Sequence, residues 1–368
     1  MNPKRRIIPV FVPNEGCRHN CVFCDQRRIT GSDAPVKAEE VTALIEAAPK
    51  GTKRYDAEYS VDNNPLPLEI AFYGGSFTAL PEPRQNELLK AAGSCINLDS
   101  QDSLRDSIRV STRPDCIDDG VVARLKRFGV RTVELGAQSM CDEVLRASKR
   151  GHTASDVVRA AETIKSSGLS LILQMMTGLP CDTEEKSIET AKRFVQLHPD
   201  GVRIYPAVVV RGTGLHEMWL RGEYAEHTID DAINLCVKLC TIFEEASIPI
   251  IRLGLNPTDA LTAGDAAAGA YHPALGELVY TELFYRRASE LLNGVAPGSD
   301  VVISVPPGKT SIMIGSHRKN VDRLMKNFAL RSVKVIETDD VGLQVIPLHV
   351  IAASEPQSPA STSYIPIH

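Results

Sequence analysis

No apolar run in this chain of 368 residues reaches the roughly 18 residues that a membrane-spanning helix needs. Residues Met1 to Val12 also hold no long apolar segment ending in small residues that a peptidase would cut. Both absences point to a cytoplasmic protein with no membrane partner. A general excess of positive charge is missing too: the formal net charge is -5, so any contact with nucleic acid has to come from a local patch. Lys4, Arg5 and Arg6 form one short basic stretch, of the kind usually found at a solvated chain end. A disulfide framework is absent as well, because the cysteines outside one loop are irregularly spaced and a reducing cytosol keeps thiols free. Cys236 and Cys240 lie on an apolar helical stripe with Ala232, Leu235, Leu239 and Phe243 and read as core; Cys95, Cys116 and Cys141 read the same way. Cys181 follows the turn Gly178-Leu179-Pro180 and is a lone loop thiol, a weak signal by itself.

One further absence is informative. Cys17, Cys21 and Cys24, in the string GCRHNCVFCDQ directly after the apolar run Ile7 to Val12, have no fourth cysteine near them. Three thiolates on one short loop hold three irons of a cubane 4Fe-4S cluster and leave the fourth open to an outside ligand. A structural zinc ion wants four protein ligands, usually as two separated pairs. Here His19 would have to complete the set within eight residues, and that reading stays open as the rival.

With 43% hydrophobic residues the chain can bury a large core, as two domains or as one barrel with an appendage. Short apolar runs alternate with amphipathic segments as far as about Val210. Strands are expected at Ile7 to Val12, Glu69 to Tyr73, Ser107 to Thr112, Arg131 to Leu135, Ser170 to Met176 and Val202 to Pro206. Helices are expected at Ala38 to Ala48, Gln85 to Ile96, Asp119 to Phe128, Ala154 to Lys165 and Glu184 to Leu197. Thr153 with Asp156, and Asp182 with Glu185, have capping spacing, and Gly129 and Gly168 stand where a helix needs a left-handed stop. Six strand-helix units joined by right-handed crossovers build an α/β fold, a partial (β/α)6 barrel, whose chemistry gathers at the carboxyl ends of the strands. The unusual residues do follow successive strands: the cysteine loop, then Gly74-Gly75-Ser76, then Arg113-Pro114-Asp115, then Gln138.

Asp56 to Pro67 reads as a polar loop. Beyond Val210 the pattern changes to a helix Ile229 to Ala246, a strand Pro249 to Leu253, a Gly/Ala-rich loop Thr262 to Tyr271 and a helix Leu278 to Leu292. A strand Val301 to Val305, a helix Arg318 to Phe328 and a strand Val333 to Ile336 follow, forming a small C-terminal α+β appendage. The expected division is 1–225 for the core, 226–351 for the appendage and 352–368 for a disordered tail, rich in Ser and Pro from Ser354 to Thr362.

CRHNCVFC followed by FYGGSF resembles the radical S-adenosylmethionine (SAM) superfamily. STRPD, VELGAQS, KRGHT, MMTGLP and PDGVRIYPAVVVRGTGLHEMW, in that order, are similar to the radical domain of the Elongator catalytic subunit family through most of residues 5 to 225. The resemblance implies a 4Fe-4S cluster on Cys17, Cys21 and Cys24, with SAM bound at the open iron and split by one electron to a 5'-deoxyadenosyl radical. It also implies a reductant protein such as a flavodoxin or ferredoxin, and tRNA uridine modification with tRNA as partner. Gly74 and Gly75 would let backbone approach the methionine ammonium of SAM, with Ser76 standing where the family often carries Glu. Gln138 and Arg150 match cofactor-contacting positions, with Arg150 a partner for the SAM carboxylate. Ser111, Arg113, Glu134 and Gln174 are candidates for the same cavity, and Phe23 either borders the adenine or packs the loop. His152 reads as a residue opening a helix, and Tyr205 as a strand-end residue facing the substrate. No side chain is assigned as the catalyst. The residues after Val210 carry no glycine-rich pyrophosphate loop, so the acetyltransferase-like domain of full-length members, and acetyl-coenzyme A use with it, are not expected. The motif order also resembles oxygen-independent coproporphyrinogen oxidases, and a non-catalytic metal-binding interaction protein is the third reading.

Overall fold

The alternation of apolar runs and amphipathic segments becomes alternating strands and helices in the computed structural model, which describes residues 6–12, 16–17, 19–25, 36–48, 67–96, 106–258, 261–339, 343–347 and 363–365. The expected basic residues Lys4 and Arg5, nearly all of the loop Asp56 to Pro67, and the tail stretch Ser354 to Thr362 lie outside these. Among the described residues no helix is long and apolar enough to cross a membrane.

Strands β1 (Arg6–Phe11), β2 (Leu68–Tyr73), β3 (Ser107–Thr112), β4 (Val130–Gln138), β5 (Ser170–Thr177) and β6 (Gly201–Pro206) lie side by side in sequence order, each pair parallel. Between them run helices α1 (Ala38–Ala47), α2 (Glu82–Gly93), α3 (Asp119–Arg127), α4 (Asp142–Ala147), α5 (Ala154–Ser166) and α6 (Glu184–Gln196). The sheet curls into a half-barrel and takes a seventh parallel strand at its β6 edge. That strand is Ile250–Leu253, which the sequence reading placed in the appendage. A change of pattern after Val210 looked like a change of domain, but the chain returns to the sheet once more.

Helix starts are set by side chains. The Thr153 hydroxyl and the Asp156 carboxylate cap α5 reciprocally, and Gly129 and Gly168 stop their helices with φ of 80° and 79°. At α6 the expected cap is displaced by one residue. The Thr183 hydroxyl accepts from Lys186 N, whereas the Asp182 carboxylate turns back to accept from Gly178 N at 2.9 Å and Ser187 Oγ at 2.7 Å. Burial raises the Asp182 pKa, and those donors work against the rise. The short strand β7 (Val208–Val210) pairs antiparallel with Ala266–Gly269, inside the segment expected to be a Gly/Ala-rich loop, and a short helix Gly214–Leu220 follows it.

By contacts the chain divides into Met1–Ile229 with Ile248–Tyr271, and Asp230–Ser247 with His272–His368. The second unit holds helices Ile229–Glu245 and Leu275–Leu291 and a four-stranded sheet. Cys236 and Cys240 are fully buried there, as expected. Ser363–Ile365, within the stretch expected to be disordered, pairs antiparallel with Leu343–Pro347, because its backbone completes an open sheet edge.

Candidate functional site

The cysteine loop is anchored through its backbone. Val22 N donates to Ser148 O at 3.2 Å, Leu215 N donates to Val22 O at 2.7 Å, and Cys24 N closes a turn onto Cys21 O at 3.1 Å. Val22 is buried with Val209, Leu215 and Tyr224, and Phe23 packs against this cluster and against Val144, Leu179 and Ala207. Two glycines admit the loop to its place. Gly16 has φ of 75°, and a Cβ there would overlap the Ser76 carbonyl oxygen. At Gly151, φ 73°, a Cβ would occupy the His19 imidazole. His19, the rival fourth ligand, thus lies on the KRGHT turn. Gly151→Ala is expected to destabilise the chain by about 1–2 kcal/mol through left-handed strain and to displace His19. The checks are a urea midpoint and iron content after anaerobic reconstitution, and a variant matching wild type in both would refute this placement.

The sulfurs meet cationic side chains. Arg150 Nη1 donates to Cys21 Sγ at 3.2 Å, Nη2 donates to Gly136 O at 2.5 Å, and the guanidinium carbon sits 5.9 Å from the centroid of the Phe23 ring. The Cys17 pKa is raised, first by burial and then by Cys21, against the pull of Arg113 and Arg150. His152, buried beside these cations, has its pKa pushed down to about 4 by burial first and then by Arg150 and Arg113. Neutral imidazole therefore donates Nε2–H to Ala137 O at 3.1 Å, and its Nδ1 is buried without a hydrogen-bond partner. Among the described residues no three His, Cys, Asp or Glu side chains converge on one point as a single ion requires.

Turns at the carboxyl ends of the strands complete the rim. Gly74 has φ of 96° at the end of β2. Ser76 Oγ is buried 3.0 Å from Thr112 Oγ1 and accepts from Arg113 N at 3.3 Å, so this side chain is committed to joining the β2 and β3 turns. Arg113 grips Asp115 in a fork, Nε to Oδ1 at 2.9 Å and Nη2 to Oδ2 at 3.2 Å. Gln138 ends β4 at a register shift with φ of 67°, a left-handed backbone rare for a residue with a side chain. Its Oε1 accepts from Gln174 Nε2 at 3.3 Å.

Below the rim, alternation along each strand puts Ser111, Glu134, Gln174 and Arg203 on the concave face. The contacts prove the curl. Arg203 on β6 reaches Glu134 on β4, Nε to Oε2 3.1 Å, and donates from Nη2 to Tyr73 Oη on β2 at 2.9 Å, across strands that are not neighbours. Arg203 Nη1 also donates to Tyr205 Oη at 3.2 Å. Arg109 joins Glu69 at 2.7 Å and Glu134 at 3.8 Å. Burial raises the Glu134 pKa, with Arg203 and Arg109 pulling it down and Glu69 adding to the rise. Burial also raises both tyrosines, Tyr73 and Tyr205, so their hydroxyls keep their protons. The opposite face of the strands is fully buried at Ile70, Phe72, Val133, Leu135, Leu173 and Ile204, whereas Tyr73, Ser111, Gln174, Met176 and Tyr205 are only partly buried. A closed barrel fills its interior with side chains. This concave face instead stays partly accessible at Tyr73, Ser111, Gln174, Met176 and Tyr205, while the ion pairs of Glu69, Arg109 and Glu134 are buried within it.

The arrangement brings Cys17, Cys21, Arg113 and Arg150 together, and separately Gln138 with Gln174, and Ser111 with Glu134 in register across β3 and β4. Phe23 packs the loop beneath Arg150. Cys181 is exposed, and Cys95, Cys116 and Cys141 are partly buried rather than core. Glu69, Arg109, Arg203 and Tyr73 were not singled out from sequence. For Glu69, Arg109 and Arg203 the signal was a charge inside a strand, repeated with Glu134 on β2, β3, β4 and β6. The residues fit the cluster that the sequence implies: three thiols on one loop supply a three-cornered donor set, and the Arg150 and Arg113 guanidiniums offset the charge that thiolates bring.

Comparison with known proteins agrees. Residues 11–194 match the radical SAM superfamily and residues 199–284 match the radical SAM C-terminal domain. A tRNA uridine(34) acetyltransferase of Methanocaldococcus jannaschii is 27% identical over 301 residues, 74% of this chain and 54% of the relative. Its Methanocaldococcus infernus counterpart is 32% identical over 232 residues, 58% and 42% of the two chains. Elongator complex protein 3 of Homo sapiens is 28% identical over 200 residues, 50% and 36% of the two. The chain thus spans about half the length of the curated relatives it matches, or less. The archaeal Methanocaldococcus infernus Elp3 with an N-terminal deletion shares the fold with a TM-score of 0.57 at 24% identity, covering 76% of this chain and 63% of that one. The three-cysteine loop, the curled parallel sheet and these matches together make the chain a member of the radical SAM superfamily, enzymes that bind a 4Fe-4S cluster and SAM and draw electrons from a reductant.

Proposed function

We propose that this enzyme reductively cleaves SAM and uses the resulting radical to modify uridine in tRNA. The observation that carries the reading is the three-cysteine loop pinned at the mouth of a polar, partly accessible half-barrel, in a chain whose relatives are named for tRNA uridine(34) chemistry. Bound at Cys17, Cys21 and Cys24, the cluster would supply the electron that splits the carbon-sulfur bond. The chain's own residues hold the surroundings. Arg150 fixes the Cys21 side of the loop, and the Gln138–Gln174 pair offers amide groups to polar parts of a bound molecule. Gly74 opens the β2 turn to close backbone approach. Ser76 and Arg113 act through their neighbours, one on Thr112 and the other on Asp115. Phe23 supplies packing, Ser111 and Glu134 share the concave face, and Gly75 completes the turn. A small reductant such as a flavodoxin or ferredoxin, and a cytoplasmic setting, belong to the same reading.

Two measurements test it. Reduced, reconstituted protein given SAM should release 5'-deoxyadenosine, and transfer RNA from cells lacking the gene should lose a modified wobble uridine by mass spectrometry. An unchanged nucleoside profile would reject the tRNA assignment, and absence of 5'-deoxyadenosine with an intact cluster would reject the chemistry.

A further inference from the structure

The second unit contains a βααβ segment whose chemistry the site above does not use. The strand Asp300–Val305 leads through the short helix Thr310–Ile314 and a loop to the helix Lys319–Asn327, and then to the strand Ser332–Glu337, which lies parallel and adjacent to the first. Met313, Leu324 and Leu330 pack on Val301, Ile303 and Val305, so both helices are fixed to one face of the sheet and only the loop joining them stands free. Its root is locked. Gly315 is buried with φ of 73°, where a Cβ would come within 3.2 Å of Thr281 Cγ2, and buried Asn320 donates from Nδ2 to Thr281 O at 2.8 Å. Between those two anchors Ser316, His317, Arg318 and Lys319 are all exposed.

The loop carries charge that the fold does not consume. From Lys309 to Lys326 there are five Lys or Arg residues against one acid, Asp322, in a chain whose net charge is -5. Arg323 is paired with Glu282, but among the described residues His317, Arg318 and Lys319 have no ion-pair partner. A glycine-led loop of four residues between two helices is how KH-type modules clamp the backbone of about four nucleotides of single-stranded RNA, without needing a duplex groove. Here the loop is Gly315-Ser316-His317-Arg318, with Arg318 in the place of the second glycine and a left-handed backbone at φ 62°.

We propose that this loop binds the sugar-phosphate backbone of single-stranded RNA, with Arg318 and Lys319 neutralising phosphates and the backbone of Ser316 and His317 close against the strand. The identity of the RNA as tRNA rests on the preceding reading; the binding itself does not. The test is fluorescence anisotropy of the full chain with a labelled anticodon stem-loop oligoribonucleotide across a salt series. Wild type should bind with a clear salt dependence. Arg318→Asn removes the charge with a residue that tolerates left-handed φ, and should lower the slope of log affinity on log salt by about 0.7. The double variant His317→Asp with Arg318→Asp should weaken binding roughly tenfold or more. Should the double variant fail to fold by circular dichroism, Arg318→Asn alone decides. Binding by both folded variants equal to wild type, or no RNA binding by wild type, overturns the proposal. Loop-dependent RNA binding together with an unchanged nucleoside profile would leave the loop standing and remove the tRNA reading.

Discussion

Cys21→Ala is expected to abolish SAM cleavage, by about 1,000-fold or more on the scale of losing an essential catalytic group, while leaving the chain folded. Three thiolates are the least that can hold a cubane and keep one iron open. Removing one leaves two corners, and iron retained after reconstitution should fall well below the roughly four expected per chain. The fold should survive because the loop is anchored by Val22, Leu215 and Ser148 backbone groups and by apolar packing of Val22, none of which involves the Cys21 sulfur. What the sulfur does hold is Arg150, whose Nη1 would lose its acceptor while Nη2 keeps Gly136 O. A stability change within about 1 kcal/mol is therefore expected. The comparison variant is Cys181→Ala, at an exposed thiol that is not part of the three-cysteine loop, which should retain full cleavage and full iron. Equal cleavage by Cys21→Ala and wild type would overturn the assignment of this loop as the cluster site.

The parts legible in the sequence were those written in spacing or period. The cysteine interval, the paired glycines after β2 and the six apolar runs each have a local physical cause, so they survive without tertiary information. Elements of few residues did not: α4 and Gly214–Leu220 are too short for a helical period to declare itself, and β7 pairs with an Ala/Gly segment that has no alternation to read. Asp182 and Thr183 are both good caps, and only the approach of the Gly178 amide decides which of them caps α6. The polar interior of the half-barrel was the larger omission. A charge inside a strand reads as a fault until the curl of the sheet brings opposite charges from distant strands together, and that curl is a property of the whole sheet. Glu134 was named for its place on a strand, yet its partners Arg109 and Arg203 lie one strand and two strands away.

Those partners make Arg203→Met the substitution with the largest expected effect on stability. Glu134 is 2% exposed, and its closest cation is Arg203; Arg109, at 3.8 Å, is already engaged by Glu69. Removing one member of a buried ion pair costs about 3–5 kcal/mol because the remaining charge is left in a poor solvent. Arg203 also donates to Tyr73 and Tyr205, whose hydroxyls would lose a donor at the mouth of the barrel. The loss should depend on pH in a definite direction. Burial already holds the Glu134 pKa above its unfolded value, with the two arginines opposing the rise. A carboxyl whose folded pKa is raised contributes stability that is fully present below its unfolded pKa and is lost as pH rises through the folded one. Without Arg203 the folded pKa moves further up, so the variant's deficit should be full near pH 8 and shrink towards pH 5, as Glu134 takes up a proton. Adding Glu134→Gln to Arg203→Met should remove that pH dependence and recover part of the loss, since a neutral amide needs no counter-charge. Urea midpoints by circular dichroism across this range separate the outcomes. A deficit of the same size at both ends, unrelieved in the double variant, would mean that Arg203 supports the sheet by packing and tyrosine contacts rather than by compensating a buried carboxylate.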